Sequence, residues 1–150
     1  MICFHKMKKL PLIPLFIVLF WLFAGVFGRT AWKPDEAYST GLVWHMANTG
    51  DKIVPTLGGE PFMEKPTIYY IISSFFGKMF SWILPFHESA RLASVFFSVL
   101  TLAALAFMGR KLFDNWIVPP LLFVGSVGVL ASSHFLMTDV SLLTGFAIAL

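Results

Sequence analysis

Charge is scarce in this chain. Asp, Glu, Lys and Arg make up 13% of its 150 residues, about half the share of an ordinary globular domain. Hydrophobic residues reach 57%, with a mean hydropathy of +0.79. That balance excludes a soluble domain and reads as an integral membrane protein. Cysteine is nearly absent. Cys3 stands alone, so no intrachain disulfide can form. No apolar run precedes it, so it is not a lipidation site behind a signal sequence. No basic cluster with interleaved aromatics is present, and the net charge is only +3. Nucleic acid is therefore not an expected partner. Internal repeats and low-complexity tracts are also missing.

Long apolar runs are what the chain does have. The first follows Lys6, Lys8 and Lys9 and covers residues 10–27. It exceeds the h-region of a signal peptide and places bulky Trp21, Phe23 and Phe27 where a cleavage site needs small residues. As a helix it would measure about 27 Å, close to the hydrocarbon thickness. The reading is an uncleaved first span with a cytoplasmic N-terminus. The expected fold class is all-α integral membrane. About four transmembrane helices cover residues 10–28, 89–109, 116–136 and 139–150, the last one cut short. An external loop, 29–88, carries two outer-surface amphipathic helices. Residues 67–85 belong to that loop and not to a span. Ile68, Ile71, Ile72, Phe75, Phe76, Met79 and Phe80 recur at helical spacing, while Thr67, Tyr70, Ser74, Gly77, Lys78 and Ser81 mark the opposite face. This arrangement gathers Arg110 and Lys111 inside with the N-terminal lysines. It also puts Asp35, Glu64 and Asp139 together outside. The last run would end in mid-membrane, so the chain reads as an N-terminal portion of an incomplete domain, and as a fragment it is expected to be inactive alone.

Acids at the mouth of a membrane bundle are paired, solvated or functional. Pro34-Asp35-Glu36 suits the first turn of a helix running to about Asn48. A turn at Asn48–Asp51 follows. Residues 53–63 then read as extended, with a Gly58-Gly59 turn, before Lys65-Pro66 opens the second helix. Two outside acids and Lys65 offer a base that can take a proton and a cation that can meet a negative charge.

Asp35-Glu36-Ala37-Tyr38, Gly50-Asp51-Lys52-Ile53-Val54-Pro55, Gly59-Glu60-Pro61-Phe62-Met63-Glu64-Lys65-Pro66, Ala90-Arg91-Leu92 and Thr138-Asp139 occur in that order. The set resembles the start of the polytopic glycosyltransferases that use polyprenyl-phosphate sugars, among them protein O-mannosyltransferases and bacterial aminoarabinose transferases of lipid A. Relatives of the aminoarabinose type carry arginine where Ala37-Tyr38 stand. The resemblance implies a GT-C fold and a multi-pass place in a bacterial inner membrane. It also implies a polyprenyl-phosphate-sugar donor, a lipid, glycan or protein acceptor, and inversion at the anomeric carbon. It makes Asp35 the base or acceptor-orienting group and Asp139 a second acid facing the same cavity. Glu36, Tyr38, Glu64, Lys65 and Arg91 become substrate contacts. It fixes no cofactor, and a divalent metal is left open, with Glu64 as a ligand in some relatives.

Each residue has a plainer role as well. Asp35 and Glu36 suit a helix N-terminus, and Asp139 suits an N-cap. Lys65 could snorkel, and Arg91 could anchor its span by pairing with Glu88. His45 and His134 suit structural positions. The rival to an enzyme is a non-enzymatic polytopic membrane protein, a transporter part or an assembly factor, in which the acids pair within the bilayer.

Overall fold

The computed structural model describes residues 12–32, 34–51 and 53–150. Cys3, the N-terminal lysines, Lys33, Lys52 and the start of the first apolar run lie outside the described residues. Helix α1 is Leu12–Phe23 and α2 is Asp35–Thr49. Asp35 and Glu36 occupy the first turn of α2, where they complement the helix dipole. The helix ends at Gly50, whose φ of 77° carries its N–H back to the Met46 carbonyl. A two-residue hairpin follows, β1 Thr56–Leu57 against antiparallel β2 Glu60–Pro61, turned by Gly58 and Gly59, both at positive φ.

Helix α3, Thr67–Phe80, starts behind Pro66, and α4, Phe86–Phe113, starts behind Pro85. Prolines there cannot continue a preceding helix, so they mark both starts. Helix α4 has 28 residues, about 42 Å at 1.5 Å per residue. It stops at Asp114, which adopts φ 51° and returns its N–H to Gly109 O. Short helices α5, Val118–Val124, and α6, Val127–Ser132, follow, and α7 is Asp139–Ala149.

Helix α4 is the spine. Helix α3 lies against its first half, so closely that a Cβ on Gly77 would fall 2.7 Å from the Phe86 ring. The main core joins Leu42, Val43 and Met46 of α2, Tyr69 and Tyr70 of α3, Ala90, Ala93 and Phe97 of α4, and Leu136 and Val140. A second cluster sets Trp21 and Leu22 of α1 against Leu102 and Val124. Buried hydroxyls tie the elements together. Tyr69 Oη and Ser94 Oγ lie 2.6 Å apart, and Ser94 donates to Phe135 O at 2.7 Å. Thr101 and Thr144 meet at 2.8 Å between α4 and α7. Burial in this core pushes the Tyr69 phenol well above its usual pKa.

The expectation of four transmembrane helices is corrected. Among the described residues, α4 alone is both long and apolar enough to cross a membrane. The first run is helical for only 12 described residues, because the chain turns at Gly25, φ 80°. Run 116–136 breaks at Ser126, whose ψ of 123° separates α5 from α6. Helix α7 has 11 residues, about 16 Å. The hairpin also departs from a purely helical fold. What stands is one helix, α4, that by length and apolar composition is fit to span a bilayer.

The surface helices of the loop are corrected too. The polar stripe of α3 faces inward, with Tyr70, Ser74 and Gly77 buried, while Ile68, Phe75 and Met79 are exposed. Small and hydroxyl side chains permit the close approach to α4 that bulky ones would block.

Candidate functional site

Glu36 and Asp35 are neighbours in sequence with opposite environments. Successive helical residues point about 100° apart, so one faces the core and one faces solvent. Glu36 is 1% exposed. Its carboxylate accepts from Arg91 Nε at 2.7 Å, Arg29 Nη1 at 3.1 Å, Trp32 N at 2.7 Å and Leu136 N at 2.9 Å. Burial works to raise its pKa. The hydrogen bonds from Arg91 and the Trp32 and Leu136 amides, with the Arg91 charge, overcome that and hold it below the usual carboxylate range.

Arg91 is fully buried. Its remaining donors reach the carbonyls of Val26, Arg29 and Thr30 at 2.9–3.1 Å. Arg29 bonds His134 O at 2.7 Å and lies over the Phe135 ring. Burial and the neighbouring Arg91 charge lower the Arg29 pKa, against the opposing pull of Glu36. His134 is buried, with its ring nitrogen Nε2 on the Trp21 carbonyl. This cluster fastens the end of α1, the start of α2, α4 and the turn before α7 to one another.

The turn it fixes presents Asp139, the exposed first residue of α7. Thr138 takes the N-cap position, so Asp139 does not. Asp35 is half-exposed and lies 3.9 Å from Lys65 Nζ. The buried Tyr70 hydroxyl feels the charge of three acids. Burial raises its pKa first, its bond with Ser39 opposes that, and the charges of Asp139, Asp35 and Glu64 raise it further. The charges of three acids, from α2, the loop before α3 and α7, thus act on one phenol, and Lys65 pairs with Asp35.

The site residues therefore divide. Asp35 and Lys65 pair at the surface, and Glu64 and Asp139 are exposed. Glu36 and Arg91 do not join them as substrate contacts, because both are buried and bonded to the protein. Arg91 pairs with Glu36 and not with Glu88, which instead accepts the Gly28 N–H at 2.9 Å. Tyr38 is 52% exposed, and its backbone N–H bonds Pro34 O. Among the described residues, no group of three His, Cys, Asp or Glu side chains could hold a metal ion, so Glu64 has no ligand set around it here.

Sequence reasoning missed Arg29 and Tyr70. Arg29 had a signal, a cation two residues past the first apolar run and seven before Glu36. Tyr70 had a weaker one, an aromatic hydroxyl on the small-residue face of α3. Comparison with known proteins leaves the arrangement to be judged on its own geometry, since no family model and no solved structure matches the chain.

Proposed function

We propose that this protein transfers a sugar from a polyprenyl-phosphate donor to an acceptor at a membrane surface. The observation that carries the reading is the accessible Asp35–Lys65 pair, 3.9 Å apart, a carboxylate and a cation side by side, with Glu64 and Asp139 also exposed. The chemistry suits those groups. The acceptor oxygen attacks the anomeric carbon, and its proton passes to the Asp35 carboxylate. The bond from that carbon to the phosphate oxygen breaks, and the phosphate leaves with the electron pair. Lys65 meets the leaving charge, an interaction worth roughly 3 kcal/mol for one well-placed donor. Asp139 and Glu64 orient the acceptor. The finer placement belongs to the same proposal: a bacterial inner membrane, the N-terminus cytoplasmic and the acids on the outer side.

The test is transfer from labelled polyprenyl-phosphate sugar in membranes carrying the gene. Asp35→Asn should lower the rate by about 10²–10⁴-fold, the range for a general base. Transfer at an undiminished rate overturns the role of Asp35. A second reading, a non-enzymatic membrane protein, is favoured by the buried Glu36–Arg91 pair, which builds structure from two conspicuous charges. It expects no donor binding, and Lys65→Gln would then change nothing.

A further inference from the structure

Two hollows of ≈ 480 and ≈ 360 Å³ flank the second half of α3, and Ala47 and Lys78 line both. No acid lines either one. Lys78 makes no ion pair among the described residues and is exposed. Trp44 and Phe86 border the smaller hollow, and Phe86 is the first residue of α4. The notch thus opens where the one helix fit to cross a bilayer begins. Its surroundings are apolar and uncovered. Phe75 and Met79 lie one turn apart on α3 beside Lys78 and are 60% and 41% exposed, and Trp82 and Ile83, in the turn just past the helix, are 81% and 60% exposed.

We propose that Lys78 binds the phosphate of an anionic phospholipid headgroup, with the acyl chains lying along the exposed Phe75, Met79 and Trp82. The occupant follows from charge and position: one cation without a counter-ion, aromatics that favour the interface, and continuity with a membrane-crossing helix. The inference rests on the membrane association of α4 and is independent of sugar transfer.

Native mass spectrometry of the full chain released from detergent tests it, with phosphatidylglycerol or phosphatidylcholine added. The wild type should retain phosphatidylglycerol at about fivefold lower concentration than phosphatidylcholine. Lys78→Gln should erase that preference, Lys78→Arg should keep it, and Lys111→Gln, at the far end of α4, should leave it intact. Inorganic phosphate at the same concentrations should displace no lipid. Equal retention of the two lipids by the wild type overturns the proposal. So does an unchanged preference in Lys78→Gln, an equal loss in Lys111→Gln, or displacement by inorganic phosphate.

Discussion

Glu36 shows how much one carboxylate can organise. Truncation by Glu36→Ala leaves the fully buried Arg91 without its counter-ion and should cost about 3–5 kcal/mol. Thermal unfolding in detergent will read that as a large fall in Tm. A gentler test is pH. The folded pKa of Glu36 lies below its unfolded value, which is about 4.3. Its contribution is therefore complete above that value and is lost as pH falls through the lower folded one. Stability measured from pH 7 to 3 should show this acid limb, and Glu36→Gln should remove it. The sequence made the Asp35-Glu36 pair legible but not the division of labour within it. That division depends on which side of α2 meets α4, and the few apolar residues of α2 do not declare a face.

Among the elements, starts were easier to read than ends. Pro34, Pro66 and Pro85 mark the openings of α2, α3 and α4, and Gly58-Gly59 marks the hairpin turn. The breaks at Gly25 and Ser126 were hidden, because apolar composition runs straight through them while the backbone turns. Glycines also carry the closest packing. An added Cβ at Gly109 would meet Asn115 O at 2.6 Å, and at Gly77 the Phe86 ring at 2.7 Å. A ring can rotate away, but a backbone oxygen cannot. Gly109→Ala should therefore destabilise by about 1–3 kcal/mol and more than Gly77→Ala. Gly128, with nothing within 4 Å of its Cβ position, should gain up to about 1 kcal/mol as alanine. Parallel melting curves of the three variants will rank them.

Taken whole, the molecule turns much of its apolar surface outward. Phe16 and Phe20 of α1, Val99 and Phe107 of α4 and Phe146 of α7 are all exposed. If α4 crosses the bilayer, a charge on its exposed flank should impair insertion. Val99→Arg should cost about 2.5–3.5 kcal/mol on an insertion scale and release protein to alkaline carbonate extraction. Equal retention of the variant and the wild type would count against crossing. The sequence argument brought the three acids together by counting crossings, and that count does not hold. What joins the turn before α7 to α2 is a pair of hydrogen bonds, from Arg29 to His134 and from Leu136 to Glu36, a contact across 100 residues that no local pattern announces.

That same long reach bears on birth. Glu36 leaves the ribosome 55 residues ahead of Arg91 and 100 ahead of Leu136. At bacterial to eukaryotic elongation speeds the wait is roughly 3–11 seconds for the guanidinium and 5–20 seconds for the amide. Through that interval Arg29, made seven residues earlier, is the one of the cluster's two cations that Glu36 can reach. Its first stretch cannot settle before α4 is made, so a stalled or shortened message should yield a product that quality-control proteases clear.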